Sequence, residues 1–332
     1  MPDAYCLPTI PYLRLRVTMR AVEPAVLPAY HGSMLRGAFG HALRRTVCSM
    51  GPGQPCASCP LRRACVHTRI FETFVEDEPP PFLRGIDQAV RPYVFEPRGG
   101  GERLPAGGSL EFDLLLFGQA VELQAYAVLA LERMGRGGLG AGRPRFELAR
   151  VEAQDPADPA GAPRALFADG AVARAPAAPS LPSESPLPEG AVTLRFVTPL
   201  RIKVRHQLTD RPRFRDLAFH MLRRTLEMAY FHVPGAAVDW DFQPLLQRSD
   251  GVQVAAADLR WLDWERWSQR QNSAMKLGGL VGRLTLEGDV APFAPLLRAA
   301  EILHAGKGAV FGLGRVEVEP AAAERGCQPI RR

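Results

Sequence analysis

The sequence predicts an α+β fold made of two copies of one domain in tandem. Two signatures occur twice in the same order and at nearly the same offset. One is His41-Ala42-Leu43-Arg44-Arg45-Thr46, which recurs as His220-Met221-Leu222-Arg223-Arg224-Thr225. The other is a glycine-rich segment that occupies 135–143 and recurs over 305–315. Because both motifs repeat nearly in step, we interpret them as the marks of a duplicated domain.

Length and composition agree with two soluble domains. A chain of 332 residues accommodates two domains of ordinary size, each with its own core. The apolar fraction of 46% and the charged fraction of 23% are typical of soluble globular proteins. The sequence contains no apolar run of about 18 residues, which a membrane span needs, and no secretory signal. We therefore expect a cytoplasmic protein without a membrane partner.

Both halves of the chain contain the same order of predicted elements. In the first half these are a strand at 13–19, a helix from Ser33 to about Val47, strands at 93–96 and 110–117, a helix at 121–133 and a strand at 146–151. In the second half they are a strand at 192–198, a helix at 214–230, a less distinct strand, a strand at 280–287, a helix at 292–304 and a strand at 315–319.

The order β-α-β-β-α-β is that of the ferredoxin-like fold. The sequence therefore predicts tandem ferredoxin-like domains. The N-terminal domain is expected over 1–153, with a cysteine-rich insertion at about 48–70. A Pro- and Ala-rich linker or long surface loop follows over 154–190. The C-terminal domain, with its glycine-rich loop, is expected over 191–320 and a tail over 321–332.

The charge balance is compatible with a nucleic-acid partner. The chain has 41 Lys and Arg against 35 Asp and Glu, a formal charge of +6, and its only lysines are Lys203, Lys276 and Lys307. Arginine binds phosphate bidentately and stacks on bases, so the excess of arginine suits RNA. A genome of high GC content produces the same bias. Evidence for RNA binding must therefore come from the positions of the arginines in the chain.

The second glycine-rich segment has the composition of an anion-binding loop. It contains Gly306, Gly308, Gly312 and Gly314 together with Lys307 and Arg315, directly before a strand. Successive free N–H groups in such a loop form a concavity for anions, and the two cations add full positive charge. The loop suits a phosphate backbone, although glycine-rich turns before strands also occur for structural reasons.

Four of the six cysteines lie close together as Cys48, Cys56, Cys59 and Cys65. Cytosolic proteins rarely keep disulfides, so this spacing favours a metal, and we expect a structural zinc ion. An iron–sulfur cluster or free thiols are the alternatives, and His67 is a possible replacement ligand. Four protein ligands leave no open position on the ion, so we expect no catalytic metal.

Four passages of the chain resemble the CRISPR repeat-RNA endoribonucleases of the RAMP superfamily, which cut precursor CRISPR RNA into guides. These passages are Tyr30-His31-Gly32-Ser33-Met34-Leu35-Arg36-Gly37-Ala38-Phe39-Gly40, the cysteine segment after it, Trp267-Ser268-Gln269-Arg270-Gln271 leading to Met275-Lys276-Leu277-Gly278-Gly279-Leu280-Val281-Gly282, and the closing glycine-rich loop. The resemblance implies two ferredoxin-like domains, recognition of RNA through the glycine-rich loop and basic clefts, and cleavage without a catalytic metal.

Metal-free cleavage uses the 2′-hydroxyl of the RNA as the nucleophile and leaves a 2′,3′-cyclic phosphate. It needs a group that removes a proton, a group that protonates the leaving oxygen and a cation for the transition state. His41 is the first candidate for acid or base, because Arg44 and Arg45 lie at i+3 and i+4 of the same predicted helix. His31 is the second, with capping of the helix as its alternative role.

The residues predicted to bind RNA share a basic or glycine-rich context. They are Arg36, Arg44, Arg45, Arg143, Arg270, Gln271, Lys276, Lys307, Arg315, Gly306, Gly308, Gly312 and Gly314. For the passage around Arg270, the alternative is that Trp264 and Trp267 anchor a core and the charges are solvated.

Three functions compete on this basis. The first is an endoribonuclease specific for CRISPR repeat RNA, and the second is a non-catalytic RNA-binding RAMP subunit of a CRISPR effector complex. A zinc-stabilised interaction module without RNA is the third, and the repeated glycine loop with its arginine-rich helix argues against it.

Overall fold

The structure is a computed structural model. It describes residues 7–321 except 52, 84–85, 87, 100–102, 155–161, 169, 183–184, 239–240, 264 and 269–272, and it describes 265–268 and 273–276 by their backbone. None of the helices in these described residues combines the length and the apolarity needed to cross a membrane.

The N-terminal unit is an antiparallel sheet with two helices on one face. Its elements are β1 (Ile10–Ala21), β2 (Ala25–Val26), α1 (Gly32–Val47), β3 (Tyr93–Arg98), β4 (Arg103–Leu104), β5 (Ser109–Phe117), α2 (Gln124–Arg136) and β6 (Phe146–Ala153). The central strands lie in the order β3-β5-β1-β6. Alternation along β1 places Leu13, Leu15 and Val17 in the core beneath the helices, with arginines on the opposite face.

Helix α1 begins two residues earlier than the sequence suggested. Its N-cap is His31 rather than Ser33, and the His31 side chain makes no capping hydrogen bond. Leu35, Phe39 and Leu43 recur at helical spacing and pack into the N-terminal core. The opposite side of α1 therefore remains at the surface.

Three short strands occupy the segment predicted as a linker. They are β7 (Arg164–Ala168), β8 (Ala171–Val172) and β9 (Ser180–Leu181). β7 pairs with β6, β8 pairs with β7, and β9 pairs with the start of β1. Leu166 and Phe167 are buried against the N-terminal sheet, a short pattern that the Pro- and Ala-rich composition of the segment obscured. The segment thus extends the N-terminal sheet, while the boundaries of the two domains stay a prediction.

The C-terminal unit repeats the topology of the first. Its elements are β10 (Val192–Leu200), β11 (Lys203–Val204), β12 (Gln207–Leu208), α3 (Phe214–His232), α4 (Gln243–Arg248), β13 (Gln253–Leu262), β14 (Glu265–Ser268), β15 (Ser273–Lys276), β16 (Gly279–Glu287), α5 (Ala294–Leu303) and β17 (Val316–Pro320). The main sheet has the order β13-β16-β10-β17, equivalent to β3-β5-β1-β6. The prediction of tandem ferredoxin-like domains is confirmed.

The strand that the sequence left indistinct is β13. It lies at the edge of the C-terminal sheet, and nearly all of its side chains are exposed. A strand exposed on both faces lacks the alternation of buried and solvated residues that marks most strands in a sequence. Its pattern was therefore weak although its pairing with β16 is long.

The two units share a hydrophobic core. Val94, Leu115 and Phe117 lie on the face of the N-terminal sheet opposite its helices, and they belong to the same buried cluster as Leu217 and Leu296 of the C-terminal helices. Burial of apolar surface stabilises by roughly 25 cal/mol per Å². The units are therefore held together by packing as well as by the polar contacts described below.

His232, at the end of α3, joins the units through a buried hydrogen-bond chain. Its Nε2–H donates to the carbonyl oxygen of Val90 at 2.6 Å, and Nδ1 lies 3.3 Å from the Gln119 amide nitrogen. The Gln119 amide oxygen in turn accepts a hydrogen bond from Arg69 at 2.6 Å. Burial lowers the pKa of His232 to about 4, so the ring is neutral at physiological pH.

We expect His232 to make the protein less stable in mild acid. The unfolded chain takes up the proton near the ordinary histidine pKa of about 6.5, whereas the folded protein resists it until about pH 4, so stability falls as pH decreases through this window. His232 alone contributes a loss of about 1 kcal/mol between pH 7.5 and 5.5. Urea unfolding of wild type and His232→Gln at both pH values measures this difference.

The variant should lose less stability on acidification than wild type by that amount. His206→Gln is the matched control because its side chain is exposed. Equal losses in wild type and His232→Gln would show that His232 is not held neutral in the folded protein.

Candidate functional site

The glycine-rich loop over 305–315 docks against the N-terminal unit. The Tyr30 hydroxyl donates a hydrogen bond to the carbonyl oxygen of Phe311 at 2.6 Å, and burial raises the pKa of Tyr30, which keeps it a donor. A Cβ on Gly32 would overlap that same oxygen, and one on Gly312 would overlap the carbonyl oxygen of Phe95. Gly312 also has a φ of +85°, a conformation that favours glycine. These glycines permit close contact between the two units.

Most described N–H groups of this loop are used within the protein. The amide of Lys307 donates to the Arg201 carbonyl at 2.8 Å, and that of Gly314 donates to the Pro199 carbonyl at 3.0 Å. The amide of Arg315 donates to the Thr198 hydroxyl at 2.9 Å. The expectation of successive free N–H groups is therefore wrong at these positions, because these amides donate hydrogen bonds within the C-terminal unit. Contact of the loop with RNA stays a prediction.

A buried ion network fixes the loop to the N-terminal sheet. The side chain of Glu96 on β3 is 3% exposed, and Arg14 on β1 donates to it at 2.6 Å. Asp113 on β5 is fully buried and accepts two hydrogen bonds from Arg98, at 2.7 and 2.6 Å, and one from Arg14. Burial alone would raise the pKa of Glu96, but His304 and Arg14 outweigh it and hold that pKa well below its usual range.

His304 carries this network into the C-terminal unit. The residue follows α5, is fully buried and has a φ of +62°. Its Nε2 lies 2.9 Å from Glu96 and its Nδ1 lies 3.1 Å from the carbonyl oxygen of Leu313. Both neighbours are acceptors, so both contacts are hydrogen bonds when each ring nitrogen carries a hydrogen.

The two histidines proposed for catalysis differ in environment. His31 is 2% exposed, burial lowers its pKa, and its Nε2 has no hydrogen-bond partner within the described part of the chain. His41 is exposed on α1 and lies within electrostatic reach of His67. Ten residues separate the two, which is about 15 Å along the helix. They therefore do not share one site, and only His41 is open to a substrate.

Three of the predicted RNA-binding cations are exposed. Arg45 lies at the end of α1, Arg143 lies in the first glycine-rich segment with a φ of +57°, and Lys307 lies in the second. Arg270 and Gln271 lie outside the described residues. Lys276 is described by its backbone, in β15.

Three other predicted RNA-binding arginines contact the protein itself. The Arg36 guanidinium lies 4.1 Å from the centre of the Phe71 ring. Arg44 donates to the carbonyl oxygen of Gln54 at 2.6 Å, and Arg315 donates to Glu317 at 3.1 Å. These contacts reduce the freedom of the three side chains to reach RNA.

The cysteine-rich segment contains a group of possible metal ligands. The ligand atoms of Cys56, His67 and Glu72 all lie within 4.8 Å of one another. Burial lowers the pKa of His67 to about 4, which keeps the imidazole in the neutral form that binds metals. Of the four predicted cysteine ligands, Cys56 belongs to this group, and Cys48 and Cys65 lie within electrostatic reach of it. The four-cysteine set, including Cys59, stays a prediction.

Family comparisons agree with this architecture. Residues 9–178, just over half of the chain, match the AF_1859_N family, described as an N-terminal domain. Residues 194–316 match the family described as CRISPR-associated endoribonuclease Cas6. The C-terminal part of the chain therefore belongs to the Cas6 family. The two matches together cover the docked glycine-rich loop and the N-terminal sheet that supports it.

Solved Cas6 structures have the same fold. A Cas6 product complex superposes with a TM-score of 0.54 at 17% identity, covering 93% of this chain and all of that one. A Thermus thermophilus Cas6 gives 0.50 at 17% identity, covering 93% of this chain and 99% of that one. A partial Cas6-RT-Cas1–Cas2 complex gives 0.51 at 13% identity, covering 94% and 46%. At these identities the likeness establishes the fold.

A relative in Archaeoglobus fulgidus, described as uncharacterized, is 31% identical over 116 residues. The alignment spans 35% of this chain and 37% of the relative. The chain therefore covers little more than a third of that relative's length.

Sequence reasoning missed the acidic half of the ion network. Glu96 follows Tyr93, Val94 and Phe95 in a strand that is otherwise apolar, and Asp113 lies in a similarly apolar strand. A carboxylate inside a buried strand needs a cationic partner. That rule identifies the two acids as members of a network but not the residues that pair with them.

Removal of the Glu96 charge should destabilise the contact between the units. In Glu96→Gln, His304 loses its carboxylate partner and Arg14 keeps only Asp113, and we expect a loss of about 1.5 to 3 kcal/mol in the free energy of unfolding. Urea unfolding at neutral pH measures it. Glu152→Gln is the control, because its pair with the exposed Arg150 contributes less than about 1 kcal/mol. Similar losses in both variants would contradict a special role for Glu96.

Proposed function

We propose that this chain is an endoribonuclease that binds CRISPR repeat RNA and cleaves precursor transcripts into guide RNAs without a catalytic metal. The membership of its C-terminal part in the Cas6 family supports the reaction class. The observation that carries the catalytic proposal is the position of His41, an exposed histidine on α1 with the exposed Arg45 one turn further along.

Cleavage begins when a general base removes the proton of the 2′-hydroxyl next to the scissile phosphate. The 2′ oxygen attacks phosphorus, the bond from phosphorus to the 5′ oxygen breaks, and a general acid protonates that oxygen. The products are a 2′,3′-cyclic phosphate and a 5′-hydroxyl, so the protons and electron pairs balance without an external reagent. His41 serves as base or acid, and Arg45 stabilises the charge on the phosphorane-like transition state.

Accessibility favours His41 over His31. A general base must come within hydrogen-bond reach of the proton that it removes. The ring of His31 is buried at the start of α1, beside the docked glycine-rich loop, whereas His41 is open to solvent. His31 stays the second candidate for catalysis.

Loss of His41 should abolish most cleavage while RNA binding persists. We expect His41→Ala to lower the single-turnover rate on the CRISPR repeat RNA of the source genome by roughly 10²- to 10⁴-fold. The dissociation constant for the same RNA should change little, because the cations that contact the phosphates remain in place. Gel assays in EDTA, with an RNA carrying a 2′-deoxy nucleotide at the cut site, test the metal-free reaction.

Glu122→Ala, an exposed position just before α2, is the control for non-specific loss of rate. Unchanged cleavage by His41→Ala would move catalysis to His31 or another residue and retain the function. Tight binding without cleavage by wild type would favour the non-catalytic RAMP subunit of an effector complex, the second candidate. In that case, binding of this chain to other proteins should be tested, because one similar solved structure is described as a partial Cas6-RT-Cas1–Cas2 complex.

We also propose that the cysteine-rich segment binds a structural zinc ion. Thiolate, imidazole and carboxylate are the three ligand types that zinc accepts, and Cys56, His67 and Glu72 offer one of each. The neutral ring of His67 suits this role. The cysteines at 48, 59 and 65 are the competing ligands from the sequence. Cys48 and Cys65 lie within electrostatic reach of Cys56, and either of them would supply the fourth bond.

Zinc analysis of single variants separates these ligand sets. If Cys56, His67 and Glu72 hold the ion, His67→Ala should lower the zinc content of the purified protein well below one per chain, and Cys59→Ser should not. A four-cysteine site predicts the reverse result. Atomic emission measures the metal, with thermal unfolding as a check that each variant folds. Metal-free wild type after purification without chelators would refute both sets.

A further inference from the structure

Two of the three lysines meet beside the glycine-rich loop. The amide of Lys307 donates to the carbonyl oxygen of Arg201 at 2.8 Å, which ties the loop to the chain just after β10. Lys203 begins β11 two residues later. The side chains of Lys203 and Lys307 are exposed, and Arg201 is half-buried beneath them. Three cations therefore converge on the outer side of the loop.

The β11–β12 hairpin adds a fourth cation in a defined position. Val204 pairs with Gln207, which leaves Arg205 and His206 as the two-residue turn, with φ values of +50° and +70°. Two positive φ angles in sequence are typical of a tight hairpin turn. Arg205 is exposed at its tip.

Helix α3 anchors the same hairpin. The Nε2–H of His220 donates to the carbonyl oxygen of Lys203 at 2.9 Å. His220 is the repeat partner of His41, yet here the ring is half-buried and supports the backbone of the hairpin. The hydrogen bond from α3 therefore fixes the position of the hairpin on the C-terminal domain.

The charge of this cluster is only partly compensated. Burial and the neighbouring charges of Lys203 and Arg201 lower the pKa of Lys307, as expected for cations held close together. Asp263 is the acidic group within electrostatic reach of Arg201, and the Arg201 guanidinium donates to the Gly278 carbonyl. In the part of the chain that the structure describes, Asp216 lies within electrostatic reach of His220 beside the same hairpin. Two carboxylates against four cations leave a net positive surface that favours an anion.

We propose that Arg201, Lys203, Arg205 and Lys307 form a phosphate-binding patch that holds the RNA backbone on the outer side of the glycine-rich loop. The proposal rests on the proposed RNA-processing function. The inner side of the loop is docked against Tyr30 and β3, so RNA has access to the outer side. The amides of Lys307, Gly314 and Arg315 are used within the protein, so at these positions the binding energy comes from side chains.

The test is the salt dependence of RNA binding. The probe is a 2′-O-methylated form of the source genome's CRISPR repeat RNA, which binds but lacks the nucleophile for cleavage. In Lys203→Gln/Lys307→Gln, two phosphate contacts are lost, and the slope of log affinity against log salt should decrease by about 1.4. Affinity at about 0.15 M salt should fall roughly tenfold. Fluorescence anisotropy measures both quantities.

Arg136→Gln/Arg150→Gln is the matched control. It removes the same charge from two exposed arginines that pair with Glu132 and Glu152 elsewhere on the surface. The control and the charge-preserving Lys203→Arg/Lys307→Arg should keep the affinity and the slope of wild type. Thermal unfolding of each variant verifies that the loop remains docked.

The outcomes of this binding experiment separate the proposed patch from the proposed RNA-processing function. Selective loss in the glutamine variant, with rescue by arginine, supports the patch. If wild type and both double variants bind equally with equal slopes, the patch is refuted while RNA processing stands. If wild type itself does not bind the RNA, the proposed function fails and the patch fails with it.

Discussion

The buried hydrogen bond between Glu96 and His304 is the contact on which the arrangement of the two domains depends. Glu96 belongs to a central strand of the N-terminal sheet, and His304 belongs to the turn between α5 and the glycine-rich loop. Both side chains are almost completely buried. Separation of the domains would break the contact between Glu96 and His304 and leave Arg14 as the partner of Glu96. The loop is therefore held at the start of α1.

This docking gives the glycine-rich loop a structural role. Its glycines allow backbone contact at distances that a side chain would prevent, and its amides complete the fold of the C-terminal unit. The proposed phosphate-binding patch therefore consists of cations on the outer side of the loop and on the β11–β12 hairpin. The docking also leaves His31 enclosed, whereas His41, three turns further along α1, faces solvent.

The cysteine-rich segment supports the part of α1 that carries His41. The ring of Phe71 lies where a Cβ on Gly40 would be, the Arg36 guanidinium stacks on that ring, and His67 hydrogen-bonds the Gly40 carbonyl. A metal bound by Cys56 and His67 would order this contact. The proposed zinc site is thus structural by position, next to the helix rather than in front of the histidine.

Local patterns determined the repeated fold. Alternating strands and helical spacing of apolar residues identified β1, α1, β5, α3, β16 and α5 in the right order, because one buried face imposes its period on the chain. The same reasoning failed for β13, which has no buried face, and for the short strands β7 to β9. Pairing partners far apart in sequence were decided by tertiary structure alone. No local pattern relates Glu96 to His304, buries His31 while exposing His41, or brings Lys203 near Lys307. The contact between Glu96 and His304 exists only when the two domains pack together, and the proximity of the two lysines depends on the tertiary fold of the C-terminal unit.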